Sequence, residues 1–134
     1  MSSHAPTQRG LADTTMFVAR ESGRSLDVDA LPAVLEVSVI TIGELRAGVL
    51  AAADAATRDR RLSTLTDALA LEPHPVSEAV AEAWATLRIR LRGSGLRMGV
   101  NDSWITATAM ALSIPVVTQD DGYVAVPGLE VIRV

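Results

Sequence analysis

Four carboxylates that lie far apart in the chain have the residue type and placement to form one chemical site: Asp13, Glu44, Asp102 and Asp120. Each stands beside an apolar run, at or near a predicted junction between a strand and a helix. A charge in such a place costs free energy unless another group compensates it. One hard divalent cation could compensate all four, because Mg²⁺ prefers carboxylate oxygens as ligands. We therefore expect these acids to converge on Mg²⁺ or Mn²⁺.

A site of this kind would suit metal-assisted hydrolysis of a phosphodiester bond. A divalent cation lowers the pKa of a bound water and neutralises charge that develops on a phosphate. Two carboxylates roughly 4 Å apart repel each other by about 4 kcal/mol at an effective dielectric constant near 20, so an acidic cluster needs a cation. Taken singly, each acid also has a structural explanation as a helix cap, a solvated helix residue or a turn residue. Their joint placement at one predicted sheet edge favours the shared site.

Three polar residues stand next to the acids in sequence and could support them: Thr14, Asn101 and Thr118. Hydroxyl and amide groups commonly orient metal-binding carboxylates through hydrogen bonds. Helix capping and turn formation explain the same three residues equally well. Histidine adds no further candidate, because His4 and His74 have no partner at ligand spacing and are expected to be solvated.

The acids must be positioned by strands that alternate with helices. The pattern of β-branched runs and turn residues predicts strands over residues 10–13, 35–39, 114–118 and 129–134. Helical spacing predicts helices over residues 14–21, 41–56, 58–71, 77–93 and 102–113. This alternation predicts a parallel sheet covered by helices, an α/β fold. Ligands of such sheets gather at the carboxyl ends of the strands, where Asp13 and Asp120 fall.

Composition indicates one domain in the 134 residues, with residues 1–9 as a disordered tail and residues 10–134 as the folded part. No run of about 18 apolar residues predicts a membrane span, and the first residues lack the apolar segment of a secretory signal. The absence of cysteine excludes disulfides and thiolate metal sites. We therefore expect a cytoplasmic protein.

The charges of the chain include features that oppose nucleic-acid binding and features that favour it. A net charge of −4 argues against a broad basic footprint. All twelve cationic residues are arginine, whose planar guanidinium group can donate two parallel hydrogen bonds to a phosphate. Two arginine groups could guide a nucleic-acid backbone toward the acids, or could be solvated faces paired with nearby acids. These groups are Arg58, Arg60 and Arg61, and Arg88, Arg90, Arg92 and Arg97.

Four short segments, in this order and spacing, resemble the motifs of PIN-domain proteins, and in particular of the VapC toxins of bacterial toxin–antitoxin pairs. They are Leu-Ala-Asp-Thr-Thr-Met-Phe at residues 11–17, Ser-Val-Ile-Thr-Ile-Gly-Glu-Leu at 38–45, Asn-Asp-Ser-Trp-Ile at 101–105 and Val-Thr-Gln-Asp-Asp-Gly-Tyr at 117–123. Each segment is short, but the four together carry the resemblance over residues 10–134.

The resemblance implies a three-layer α/β/α sandwich with a mostly parallel central sheet. It implies a Mg²⁺- or Mn²⁺-dependent endoribonuclease that cuts tRNA or ribosomal RNA and so inhibits translation. It also implies a homodimer and a VapB-type antitoxin that covers the site and alone contacts operator DNA. Gly122 stands where many relatives carry a further acid, which leaves one or two metal ions open. The acidic site would comprise Asp13, Glu44, Asp102 and Asp120, supported by Thr14, Asn101 and Thr118.

Two other classes of function compete with this interpretation. A catalytically inactive binding module with the same fold could hold an antitoxin or RNA, but all four acids are present. A receiver-like domain that uses Asp13 as a phosphate acceptor would need a lysine near the strand end, and the chain has none.

Overall fold

The structure, a computed structural model, describes residues 8–121, 123 and 126–134. Within these residues it has four strands and five α-helices, with a short 3₁₀ helix at Val28–Ala30. The strands are β1 (Arg9–Ala12), β2 (Val34–Glu36), β3 (Val116–Thr118) and β4 (Val131–Arg133). The helices are α1 (Thr14–Glu21), α2 (Val39–Leu50), α3 (Ala55–Leu69), α4 (Glu78–Gly93) and α5 (Val100–Leu112). The predicted tail lies outside the described residues from 1 to 7, while Arg9 already belongs to β1.

The strands form one sheet in the order β2-β1-β3-β4, and all three strand pairs are parallel. The predicted parallel α/β sheet is therefore confirmed. Because β1 and β3 are neighbours in register, with Ala12 paired to Val117, their carboxyl ends meet at one edge. This edge is where Asp13 and Thr118 leave the sheet.

Successive residues of β1 point to opposite faces of the sheet, as the period of a strand requires. Leu11 and Val116 pack with Ile105 of α5 on one face. Ala12 and Val117 pack with Met16 of α1 on the other face. Helices therefore cover both faces, which confirms the predicted three-layer sandwich.

The central strands pack so closely that glycine is required in β1. A Cβ at Gly10 would lie 2.5 Å from Val117 Cγ2 and 2.8 Å from Pro32 Cγ.

A second apolar cluster lies between α2 and α3 and includes Val37, Leu45 and Leu65. No helix among the described residues is both long and apolar enough to cross a bilayer.

Two helices begin at residues other than those predicted, because a side chain caps each of them. The Ser38 hydroxyl accepts a hydrogen bond from Ile40 N, so α2 begins at Val39 and β2 ends earlier than predicted. The Asp54 carboxylate accepts from Thr57 N and starts α3 at Ala55. The predicted helix over residues 41–56 was therefore too long at its carboxyl end, because a capping residue interrupts its alanine run.

The expectation that His74 is solvated and unpartnered was wrong. His74 is half-buried, and its Nε2 lies 2.7 Å from Glu36 Oε1. Arg9 donates two hydrogen bonds to the same carboxylate, from Nε to Oε2 at 2.6 Å and from Nη2 to Oε1 at 2.8 Å. These contacts hold the linker before α4 against the outer end of β2.

Candidate active site at the carboxyl edge of the sheet

Asp13 is the buried centre of the candidate site, with a side chain only 2% exposed. It directly follows β1 and occupies the N-cap position of α1, yet its carboxylate makes no capping hydrogen bond. The Thr15 hydroxyl donates to Oδ1 at 2.5 Å, and the Thr118 hydroxyl donates to Oδ2 at 2.6 Å. Both carboxylate oxygens are thus fixed by hydroxyl donors from two different elements.

Glu44 reaches the site from the second turn of α2. Its Oε1 accepts a hydrogen bond of 2.6 Å from the Thr14 hydroxyl, whose oxygen also lies 3.2 Å from Thr41 Oγ1. Thr41 is fully buried one turn before Glu44. From the sequence, Thr14 was expected to orient Asp13 or a water. In the structure Thr14 contacts Glu44, and Thr15 is the residue that contacts Asp13.

Asp120 and Asp102 complete the edge from β3 and α5. Asp120 is exposed, and its backbone N–H donates to Thr118 Oγ1 at 2.9 Å. Asp102 is half-buried in the first turn of α5. Thr118 therefore links the backbone of one acid to the carboxylate of Asp13. Asn101 is exposed, and its side chain makes no hydrogen bond to the acids among the described residues.

The four acids interact electrostatically through Asp102. Burial raises the pKa of Asp102 above its usual 3.8, and repulsion from the charges of Asp13, Glu44 and Asp120 raises it further. Burial is also the main reason why the pKa of Asp13 is raised, and the charge of Asp120 contributes, although the two threonine hydroxyls oppose the shift. These carboxylates therefore share one field, in which each additional negative charge is costly.

The donor set suits a hard divalent cation, since it consists of carboxylate and hydroxyl oxygens and its negative charges repel one another. In the arrangement described, however, no group of three or more Asp, Glu or His side chains is placed to hold a metal ion, as far as the described residues extend. The geometry thus brings the acids into mutual electrostatic reach without displaying a finished coordination shell. Their convergence on one cation stays a prediction, and Gly122 lies outside the described residues.

Sequence reasoning missed Thr15 and Tyr123. The Thr15 oxygen also accepts from Gln119 N at 3.1 Å, so it ties α1 to the segment that follows β3. Tyr123 is 6% exposed, with its hydroxyl 3.4 Å from Thr106 Oγ1. Burial, and then the charges of the acids, raise the pKa of Tyr123. The available signal was that both residues stand in the motif segments, Thr15 two positions after Asp13 and Tyr123 at the end of residues 117–123.

Comparison with known proteins places this arrangement in a family. A sequence profile described as the PIN domain matches residues 11–129. The chain is 46% identical over 128 residues to Ribonuclease VapC5 of Mycobacterium tuberculosis, covering 93% of this chain and 95% of that protein. This chain belongs to the PIN-domain family. Within it, Ribonuclease VapC4 of the same organism is 48% identical over 128 residues, covering 95% and 98% of the two chains.

The fold of this PIN domain also matches a solved relative. The crystal structure of VapBC-5 from Mycobacterium tuberculosis, a member of the VapBC family of toxin–antitoxin systems, superposes with a TM-score of 0.83 at 41% identity. The match covers 96% of this chain and all of that one, at 100%. The predicted family, fold and enzyme class, a VapC-type ribonuclease and hence a hydrolase, are confirmed, and the receiver-like alternative is wrong.

Proposed function

We propose that this PIN domain is the toxin of a VapBC-type pair, a Mg²⁺- or Mn²⁺-dependent endoribonuclease that hydrolyses phosphodiester bonds at Asp13, Glu44, Asp102 and Asp120. The observation that supports it most is the shared field of these acids at the carboxyl edge of the sheet. Isolated caps and solvated acids would not raise the pKa of Asp102, as the charges of the other three acids do. A cluster of this kind loses its repulsion when a divalent cation binds.

The surroundings of each acid indicate a different role in the reaction. Asp13 is held by two hydroxyl donors and cannot rotate without losing a hydrogen bond, so it fixes the position of whatever it binds. Glu44 is steered by Thr14 in the same way. Exposed Asp120 faces the solvent from which a strand of RNA would enter. When bound, a divalent cation would activate water and neutralise charge on the phosphate.

The proposal extends to partners. The crystallised relative VapBC-5 is a member of a toxin–antitoxin family, and by that analogy a VapB-type antitoxin would cover the acids of this chain. The antitoxin alone would contact operator DNA, and the toxin would form a homodimer. The substrate would be tRNA or ribosomal RNA, cut in the cytoplasm so that translation stops.

Thr118 and Thr14 support the acids through contacts, while a supporting role for Asn101 rests on the resemblance alone.

The direct test is cleavage of RNA by purified protein with Mg²⁺, with Mn²⁺ and with chelator, followed by sequencing of the new 5′ ends. Asp13→Asn should lower the cleavage rate by at least about a hundredfold, since it removes a charge that the site needs. Asp59→Asn, on the exposed side of α3, is the matched control and should cleave like the wild type. Metal-independent cleavage, or full activity of Asp13→Asn, would refute the proposal.

A further inference from the structure

A cavity of about 420 Å³ lies between the end of α4 and the start of α5, and three arginines line it: Arg88, Arg92 and Arg97. No acidic side chain is among the described residues that line the cavity. Arg88 and Arg92 are one helical turn apart on α4, so both side chains project from the same face. Three positive charges therefore surround one concave surface on a protein whose net charge is −4.

These charges form no ion pair with the part of the chain that the structure describes. Of the ion pairs among the described residues, none includes an arginine of this cavity. All three arginines are exposed, as the solvated-face interpretation expects, but the pairing with nearby acids that it also expects is not seen among the described residues. A cluster of unpaired guanidinium groups attracts anions, and guanidinium forks match phosphate oxygens in geometry.

One of the three arginines is held in place before any ligand arrives. The guanidinium carbon of Arg88 lies 4.9 Å from the centroid of the Trp84 ring. Trp84 is stacked on Trp104, with centroids 4.4 Å apart and planes 3° from parallel, and its Nε1 donates to Ser103 Oγ at 3.1 Å. Stacking occupies the face of a guanidinium and leaves its N–H edge free to bind an anion.

The cavity and the candidate active site both use the first turn of α5. Val100 and Ser103 line the cavity, and Asp102 lies between them in the first turn of α5. An RNA strand that runs past the start of α5 would therefore bring its phosphates to the acids and to the arginines. An isolated carboxylate ligand would gain nothing from that adjacency.

We propose that the cavity of Arg88, Arg92 and Arg97 is a binding subsite for a backbone phosphate of the RNA strand, next to the linkage that is cut. This inference rests on the proposed ribonuclease function. It assigns these arginines to substrate binding, while the chemistry stays with the acids. Loss of an arginine should then weaken binding of RNA and raise KM, with little change in kcat.

The test measures binding of a labelled single-stranded oligoribonucleotide of mixed sequence, in chelator, over a series of salt concentrations. The variants are Arg88→Gln, Arg92→Gln and Arg97→Gln, singly and together. Each single change should weaken binding roughly tenfold. Each should also reduce the slope of log K against log salt by about 0.7, and the triple change by about 2. Arg46→Gln, an exposed arginine on α2 that belongs to neither arginine group, is the control of equal charge and should retain the wild-type slope.

The outcomes separate the two proposals. If the wild type cleaves RNA but the cavity variants keep its slope and KM, the subsite is refuted and the ribonuclease proposal stands. If RNA binding depends on the arginines but no metal supports cleavage, the subsite stands and the proposed reaction fails. If the variants lose only the binding of a co-expressed antitoxin, the cavity serves a protein and the RNA subsite is refuted. Melting curves of the single variants establish that each is folded.

Discussion

Replacing Asp102 by asparagine should make this protein more stable in metal-free buffer while it destroys the activity. The carboxylate has a raised pKa because it is partly buried and because Asp13, Glu44 and Asp120 repel its charge. Asparagine has nearly the same shape and carries no charge. The change therefore removes the repulsion without opening a cavity, which is the opposite of what most substitutions in a packed site do.

The magnitude follows from the number of charged neighbours. At separations of roughly 8 Å and effective dielectric constants of about 40 to 80, each like-charge pair costs about 0.5 to 1 kcal/mol. Three such pairs, reduced by solvent screening, amount to about 1 to 2 kcal/mol. Asp102 also interacts favourably with the dipole of α5, and losing that costs about 0.3 to 1 kcal/mol. The net gain is about 1 kcal/mol, or roughly 3 to 5 °C in Tm.

The pH dependence has a definite sign. The pKa of Asp102 is raised in the folded state, so its contribution to stability is fully present below the unfolded pKa and is lost as pH rises through the folded pKa. Wild type and Asp102→Asn should therefore melt at similar temperatures in acid. They should diverge as the pH rises toward neutrality, with the variant more stable.

Thermal unfolding followed by circular dichroism, from acidic to neutral pH in chelator, measures this difference. Glu78→Gln is the matched control, because Glu78 is an exposed acid in the first turn of α4 and has only the helix dipole to lose. It should melt at or slightly below the wild-type temperature. A lower Tm for Asp102→Asn than for wild type at neutral pH would show that the acids do not repel each other and would refute the reasoning. Added Mn²⁺ should raise the Tm of the wild type more than that of Asp102→Asn.

Three further predictions concern the groups around the site. Thr118→Val should destabilise the protein by about 2 kcal/mol at neutral pH, because buried Asp13 loses a hydroxyl donor. Urea unfolding should show a smaller loss of stability in acid, because Asp13 is then protonated. Ser113→Gly should stabilise by about 1 kcal/mol in the same assay, because Ser113 ends α5 in the left-handed conformation at φ 56°; an unchanged midpoint would contradict it. Glu36→Gln should lower Tm at neutral pH, because Arg9 holds the pKa of Glu36 below its usual value. That stabilisation is present above the unfolded pKa and is lost as pH falls through the folded pKa, so the two proteins should converge in strong acid.

The sequence by itself determined the kind of fold and predicted which acids form the candidate site. β-Branched runs alternating with helical spacing predict a parallel sheet, and the carboxyl ends of parallel strands must share an edge. That rule predicted that Asp13 and Asp120 share an edge, and the structure added that β1 and β3 are neighbours in the sheet. Four motifs in one order predicted the family. These features depend on local pattern and chain direction, which a sequence contains directly.

Only the tertiary structure decided which side chain serves which acid. Thr14 and Thr15 are adjacent in sequence, but consecutive helical residues point about 100° apart, so one meets Glu44 and the other meets Asp13. The angle between α1 and its neighbours selects the pairing, and packing over 30 or more residues of chain sets that angle. The same holds for the Trp84–Trp104 stack that orients Arg88, which joins two helices with no signal in either one. Periodicity tells which face of a helix is buried, and only the packed fold tells against what.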